Sequence, residues 1–401
     1  MTEPTLKRTV TLPLLTLYGL GNILGAGIYV LIGKVVGLSG TSSPLAFLIA
    51  MVIAGLTGFS YMELASRYPV SASVSVYLHE AFGHRRLSTF VGLAIVVSGI
   101  ASAAALSLGF AGYLLALVGI PKLMASVGLL VILGAIAIRG IGESAKSASL
   151  FTLVEVTGLL IIIVAGREHL LAFDPAQLVV IDPVVGLAGV FAGAFLAFYA
   201  FIGFEDMVNI AEEVKNPRRT MALAILGSLG IATVLYLATL VVSVGAVPVA
   251  ELAASDTPLA LVLQRVSSVD PIVITVIGLA ATINGALVQL IMGARMLYGL
   301  ARRGWIHRRF AELHATNRTP LIATLVVVAL TLVAVVALPL VSLAKLTSLF
   351  VLSIFVLVNV SLLVIKQRGA GSRPAFAVPV VVPFLGALTA LGILLAQFMI
   401  W

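Results

Sequence analysis

Glu155 and Glu205 stand inside apolar segments of this chain, where acidic side chains are costly and rarely lack a role. Glu155 lies near residue eight of the stretch 147–166, or ~12 Å along a helix at 1.5 Å per residue. A charged carboxylate at such depth costs roughly 2.5–3.5 kcal/mol on insertion scales. Because burial disfavours the charged form, the position favours a carboxyl group that takes up and releases a proton. A bound sodium ion and a fixed hydrogen bond to backbone stay open as alternatives.

Three glycines interrupt the first apolar segment, which covers 12–38 and contains the sequence Gly21-Asn22-Ile23-Leu24-Gly25-Ala26-Gly27. Glycine weakens a helix by about 1 kcal/mol relative to alanine. Inside a bilayer, unwound backbone is tolerated only where it is buried in protein or lines a cavity. The pattern therefore predicts a solute-binding cavity near the middle of the membrane. Close helix packing at small residues is the alternative.

A second interruption lies in the sixth apolar segment, where Gly203, Glu205 and Asp206 follow Phe201-Ile202. The two broken segments are five segments apart, which is the arrangement expected of two repeats with opposite topology. We expect one transmembrane domain, 1–401. It consists of a first repeat over 11–166, a second repeat over 186–366 and an additional helix over 376–400.

The composition requires lipid as the solvent for most of the chain. Of its 401 residues, 61% are hydrophobic and 10% are charged, whereas an average soluble domain has about 25% charged residues. Eleven apolar stretches of membrane-spanning length predict an all-α integral membrane protein. They cover 12–38, 44–66, 88–117, 122–140, 147–166, 186–211, 220–247, 271–301, 319–338, 341–365 and 376–400.

The distribution of positive charge predicts the orientation of these helices. If the N-terminus is cytoplasmic and the segments alternate, 19 of the 24 Lys and Arg residues face the cytoplasm. The positive-inside rule therefore supports a multi-pass protein of the cell membrane with a cytoplasmic N-terminus. The basic residues are scattered over short loops, so the net charge of +8 does not indicate a nucleic-acid partner.

Several function classes conflict with the sequence. The chain has no cysteine, which excludes disulfides, thiolate metal sites and a cysteine nucleophile. No His, Asp and Glu residues have metal-ligand spacing, and no cofactor is expected. The first apolar segment is too long for a cleavable signal peptide. An intramembrane enzyme would need convergent catalytic groups inside the membrane. A primary pump would need a nucleotide-binding motif, and a channel would need a repeated pore loop. None of these features is visible in the sequence.

Motifs in the expected order from residue 20 to about 305 give the chain a resemblance to the amino acid–polyamine–organocation transporter superfamily. They are Gly21–Tyr29, Ser60–Pro69 with Tyr77–Gly83, Phe201–Glu205 with Glu212–Pro217, and more weakly Ala294–Tyr298 with Ala301–Gly304. The resemblance implies a 5+5 inverted-repeat fold of the leucine-transporter type, with broken helices 1 and 6. It further implies a secondary transporter that moves amino acids or related amines by alternating access.

The resemblance also implies a binding site at the two breaks. The half-helix after Gly27 offers N–H groups and the positive end of its dipole to a carboxylate. The half-helix that ends near Ile202 offers unpaired carbonyls to an ammonium group. The substrate-binding residues expected are Asn22, Ile23, Gly25, Ala26, Gly27, Ser98, Ser102, Tyr199, Phe201, Ile202, Gly203 and Gln289. Tyr199 matches an aromatic gate of the relatives, while Ser98, Ser102 and Gln289 are equally open to helix–helix hydrogen bonding.

Coupling is assigned to Glu155 and Glu205. Relatives often have a lysine at the place of Glu155, where it substitutes for a sodium ion beside the first helix. Burial of the carboxyl group favours a proton as the coupling ion, in symport or in exchange, whereas the change of sign would attract a cation and keeps sodium open as the rival. Glu205 is typical of the family, and either stabilises the unwound loop or acts as a pH-sensitive gate. Because no further acid is evident at the midplane, a neutral amino acid is favoured over a polyamine, and a polyamine exchanger or a sodium-coupled transporter is the alternative.

Overall fold

The computed structural model describes residues 8–69, 73–139, 145–314, 317, 319–369 and 372–400, which are almost entirely helical. Its first helices are α1 (Leu12–Ala26), α2 (Ile28–Ser39), α3 (Ser43–Arg67), α4 (Ser73–Phe82), α5 (Arg85–Val118), α6 (Lys122–Arg139), α7 (Ala145–Ala165) and α8 (Arg167–Leu171). The others are α9 (Gly186–Ala197), α10 (Pro217–Ala246), α11 (Val249–Ala254), α12 (Pro258–Val266), α13 (Ile272–Arg302), α14 (Leu321–Ala337), α15 (Leu340–Arg368) and α16 (Val381–Ile400).

The expected all-helical membrane architecture is confirmed. Within the described residues, eight helical stretches are long and apolar enough to cross a membrane, and three shorter apolar helices accompany them. Each of the eleven apolar stretches of the sequence corresponds to one helix or to two half-helices. The last helix begins at Val381 rather than near residue 376, because Pro379 disfavours helical backbone at the residue before it. The short helices α4, α8, α11 and α12 lie in connections where no helix was expected.

Both predicted interruptions are present, and they differ in form. The first is a single residue, Gly27, which separates α1 from α2 with φ −138° and ψ −47°. In the second, α9 tightens into a 3₁₀ turn over Phe198–Phe201, and the chain then passes through an extended Ile202. Gly203, at φ 127°, precedes a 3₁₀ helix over Phe204–Glu213. The second half of this segment is therefore wound more tightly than an α-helix.

The interior is organised around pairs of helices from opposite halves of the chain. α5 packs along α13, and α3 packs along α10. α1 lies between α7 and α10, while α15 packs on α5 and α14 packs on α6. The broken segments are held inside this framework, because α1, α2 and α9 each contact several of these helices.

A buried carboxylate fastens α3 to the segment that precedes α16. Glu63 is fully buried and forms ion pairs with Arg67 at 2.6 Å and with Lys366 of α15 at 2.8 Å. It also accepts a hydrogen bond from the backbone N of Val378 at 2.7 Å. Because all these donors converge on one carboxylate, the ends of α3 and α15 and the connection to α16 are fixed together.

Asp182 ties the connection before α9 to the turn after α2. Its carboxylate accepts hydrogen bonds from the backbone N and the hydroxyl of Thr41, both at 2.9 Å, and from the backbone N of Val184 at 2.9 Å. These donors favour the charged form and lower the pKa of Asp182. In return, the backbone N of Asp182 donates to the hydroxyl of Ser42 at 2.6 Å.

This contact predicts a pH-dependent protection of the connection. Because the folded pKa of Asp182 is depressed, its stabilising effect is complete above the usual aspartate value of about 3.9 and is lost as pH falls through the folded pKa. The protection factors of the Thr41 and Val184 amides, which are corrected for the intrinsic pH dependence of exchange, should therefore fall at acid pH, and Asp182→Asn should remove this dependence. Asp174→Asn is the matched control, because the carboxylate of Asp174 accepts from the backbone N of Ala176 within its own turn. Equal exchange in both variants would contradict the prediction.

Candidate functional site

The two interruptions touch each other through their glycines. A Cβ atom on Gly27 would lie 2.9 Å from the backbone N of Ala200 and nearer still to its Cα. A Cβ atom on Gly203 would lie 2.6 Å from the carbonyl C and O atoms of Asn22. Both positions thus need a residue without a side chain, because backbone from the other broken segment occupies the space. The structure places the breaks in direct contact, with no room between them for a solute in this conformation.

Tyr236 of α10 joins the carbonyl groups of both broken segments. Its hydroxyl lies 2.8 Å from the carbonyl O of Ile23 and 2.9 Å from that of Ala200. The carbonyl O of Tyr199 accepts from the backbone N of Ile202 at 3.2 Å. The expectation of unpaired carbonyls at this end is therefore wrong for Tyr199 and Ala200. A carbonyl oxygen has two lone pairs, however, so these groups retain capacity for a second donor.

Two tyrosine hydroxyls fix the helix that restarts after Gly27. α2 begins at Ile28, so the N–H groups of Ile28 and Tyr29 precede the first hydrogen bonds of this helix, which Val30 and Leu31 donate to the carbonyl O of Gly27. The hydroxyl of Tyr29 donates to the carbonyl O of Glu155 at 2.5 Å, and the hydroxyl of Tyr113 donates to the carbonyl O of Tyr29 at 2.7 Å. The start of α2 is thereby attached to α7 and to α5.

Glu155 stands beside the first break, where three helices meet. Its side chain is completely buried, and its Oε1 accepts from the Nδ2 of Asn284 on α13 at 3.3 Å. A Cβ atom on Gly25 would be 3.7 Å from this Oε1, so the carboxyl group lies against α1. The Oε2 atom has no hydrogen-bond partner among the described residues. One polar oxygen is thus available to a proton or an ion.

A cavity of about 40 Å³ lies beyond the second break, bounded by α3, α5, α13, α15 and the 3₁₀ helix after Gly203. Such a volume holds roughly three water molecules. Its polar lining residues are Tyr61, Ser98, Glu205, Asp206, Asn209, Gln289 and Thr347. Of the residues expected from sequence, Ser98, Ile202, Glu205 and Gln289 therefore share one cavity.

Two acids of this cavity have different surroundings. The carboxylate of Glu205 accepts a hydrogen bond from the backbone N of Gly203 at 2.9 Å, which connects it to the break. Among the described residues, Asp206 has one hydrogen-bond donor, the Nε2 of Gln289 at 3.5 Å. Asp206 lines the cavity, although it is not among the residues expected from sequence to take part in binding or coupling. The signal was present in the sequence, since Asp206 directly follows Glu205.

The other expected residues pack around the breaks rather than in the cavity. The hydroxyls of Ser102 and Tyr199 lie 2.9 Å apart, in the buried interior. Phe201 makes edge-on contacts with Phe47 and Tyr236, at 6.4 and 5.4 Å between ring centroids. The side chain of Ala26 lies outside the described part of the structure. Tyr199 therefore connects the sixth segment to α5 through the hydroxyl of Ser102.

Comparison with known proteins decides the family. The chain matches the family described as amino acid permease over residues 11–401. The chain belongs to this family. It is a transporter rather than an enzyme, and a multi-pass membrane protein.

Its relatives transport different solutes, by their names. The permease is 29% identical to the branched-chain amino acid permease BcaP of Bacillus subtilis (strain 168), with 100% of this chain and 91% of that protein covered. It is 27% identical to the methylthioribose transporter of the same organism, with 99% and 91% covered. It is 30% identical to the vacuolar cationic amino acid transporter 2 of Arabidopsis thaliana, over 80% of this chain and 54% of that one.

Replacing Tyr236 with phenylalanine should destabilise the contact between the two breaks. The change leaves two buried carbonyls without their shared donor, which costs about 1–3 kcal/mol. Thermal unfolding of the purified permease in detergent should show a lower midpoint. Tyr298→Phe is the control, because Tyr298 contacts Arg302 through its ring, 5.9 Å from centroid to guanidinium carbon. Equal midpoints for the two variants would show that the hydroxyl of Tyr236 contributes nothing.

Proposed function

We propose that this permease is a secondary active transporter that moves amino acids or related amines across the cell membrane by alternating access. The observation that carries the proposal is the contact between two broken segments near Gly27 and Gly203, beside a small polar cavity. A cavity that holds roughly three water molecules is smaller than most amino acids, so such a solute has to be admitted by movement of the half-helices around these breaks. The segment of Phe204–Glu213 lies on its wall and is one element whose movement would enlarge it.

We propose that segments one to five and six to ten are inverted repeats, over 11–166 and 186–366. Helix contacts support this proposal, because a contact between two segments recurs between the two segments that match them in the other repeat. Segment one (α1) contacts segment seven (α10), and in the same way segment six (α9) contacts segment two (α3). In the same way, the contact of α7 with α13 corresponds to that of α15 with α5. α16 stands outside the repeats as an additional helix.

A zwitterionic substrate suits the chemistry of the breaks. The N-terminus of α2 offers N–H groups and a positive dipole end to its carboxylate. The carbonyls of Ile23 and Ala200, which retain free lone pairs, are acceptors for its ammonium group. The names of the relatives, which include a branched-chain amino acid permease and a cationic amino acid transporter, support an amino acid as the substrate class.

The coupling ion of the proposal is a proton carried by Glu155. The carboxyl group is completely buried and has one weak donor, so its charged form is poorly stabilised. Its position beside Gly25 connects its protonation to the geometry of the first break. Sodium is the second candidate, because the carbonyl O of Ala281 also lies next to Gly25 and carbonyl and carboxylate oxygens can coordinate a cation.

Orientation follows from the charge distribution of the connections. With a cytoplasmic N-terminus, 19 of 24 Lys and Arg residues face the cytoplasm, in agreement with the positive-inside rule. The cavity beyond the second break then belongs to the cytoplasmic half of the protein, since Phe204–Glu213 leads into the connection before α10.

Uptake into proteoliposomes tests the proposed function. Purified permease should exchange labelled for unlabelled solute across the vesicle membrane, which a channel or an enzyme does not do. A set of labelled amino acids and amines is offered with and without pH and sodium gradients, and vesicles without protein are the control. Absence of counterflow for every solute would overturn the proposal. Stimulation by a sodium gradient and none by a pH gradient would replace the proton by sodium.

A further inference from the structure

The charged side chains on the wall of the cavity have one sign. Glu205 and Asp206 both line it, and no Lys or Arg does so among the described residues. Glu205 is already engaged by the backbone N of Gly203. Asp206 forms no ion pair within the part of the chain described, and its one donor, the amide of Gln289, is at the limit of a hydrogen bond.

A second observation indicates that this cavity takes a polar ligand. Tyr61 lines the same cavity, and its side chain is fully buried. Its hydroxyl has no hydrogen-bond partner within the described chain. A buried hydroxyl without a partner is unfavourable, so a ligand that satisfies it would bind with a gain. Asn209, one 3₁₀ turn after Asp206, adds an amide to the same wall.

The remaining wall suits an alkyl chain. Met292 and Met296 of α13 and Val351 and Ile354 of α15 line it together with the polar residues. A flexible methionine side chain adapts to ligands of different shape. The cavity thus combines apolar sides with a carboxylate that lacks a cation, which is the chemistry that recognises an ammonium or guanidinium group at the end of an alkyl chain.

We propose that Asp206 binds a cationic group on the side chain of the substrate, and that the permease therefore prefers amino acids with a cationic side chain over neutral ones. This proposal rests on the proposed transport function and names its substrate class. The α-carboxylate and α-ammonium groups are held at the breaks, and the side chain extends into the cavity towards Asp206. Gln289 and Tyr61 then complete the surroundings of its charged end.

Competition between lysine and leucine in proteoliposomes tests the assignment. Wild-type permease should take up labelled lysine in preference to labelled leucine at equal concentrations. In Asp206→Asn the ratio of lysine to leucine uptake should fall by about tenfold to a hundredfold, as expected for losing a hydrogen bond between charged groups. Asp206→Glu should keep the preference for lysine. Asp270→Asn is the control, because Asp270 lies in an exposed connection, where it caps the backbone N of Ile272.

The outcomes separate this proposal from the proposed function. The role of Asp206 would be overturned if the wild type takes up leucine but not lysine, or if Asp206→Asn loses uptake of both equally. The proposed transport function would remain supported in either case. Absence of any uptake by the wild type would overturn both. If the variants fail to fold, the wild type alone decides: lysine should raise its unfolding temperature more than leucine does, and the reverse order would overturn the proposal.

Discussion

Glu155→Gln is expected to separate transport from the pH gradient. Glutamine keeps the size of the side chain and its hydrogen bond to Asn284, but it does not take up a proton. The ratio of uptake driven by an inward proton gradient to counterflow at equal pH should fall about tenfold or more, which corresponds to about 1.4 kcal/mol of lost coupling. The measurement is initial uptake into proteoliposomes under both conditions.

A surface glutamate supplies the control for this experiment. Glu168 lies in α8, outside the membrane segment of α7, and its side chain is exposed. Glu168→Gln should leave the response to the pH gradient as in the wild type. If Glu155→Gln responds to pH as the wild type does, the proton role of Glu155 is wrong. If the wild type responds only to a sodium gradient, the carboxylate of Glu155 is a cation ligand instead.

Gly203→Ala is expected to abolish most transport, by about tenfold or more. Alanine at φ 127° is strained by about 1–3 kcal/mol. Its Cβ would also lie 2.6 Å from the backbone of Asn22, so the sixth segment has to move away from α1. Because the two breaks form one contact, this movement displaces Ala200 from Gly27 and from the hydroxyl of Tyr236. Counterflow and the unfolding temperature measure the effect.

Gly299→Ala distinguishes this effect from a general loss of glycine. Gly299 lies within α13, and a Cβ atom there would meet no atom within 4 Å. Alanine stabilises a helix by about 1 kcal/mol relative to glycine, so this variant should unfold at the same or a higher temperature than the wild type. Transport by Gly203→Ala at the level of Gly299→Ala would show that the contact with Asn22 is dispensable.

The sequence alone determined the membrane architecture and the positions of both breaks. Hydropathy is a local property, so apolar stretches of sufficient length predicted the spanning helices without knowledge of their neighbours. The glycines at 25, 27 and 203 also act locally, since a missing side chain weakens a helix wherever it lies. The ordered motifs predicted the family because they too are local patterns that are read without knowledge of the fold. The family match over residues 11–401 confirms this prediction.

Only the tertiary structure decided which partners the polar groups have. Tyr236 is an ordinary tyrosine in an apolar stretch until α10 places its hydroxyl between two broken segments. Glu205 and Asp206 are neighbours in sequence and both line the cavity, yet Glu205 accepts from the backbone N of Gly203 at the break, whereas Asp206 faces the amide of Gln289. Glu155 has Asn284 as its donor, from a helix more than a hundred residues away. These assignments depend on which helices face each other, and that arrangement is set by packing between distant segments rather than by any local pattern.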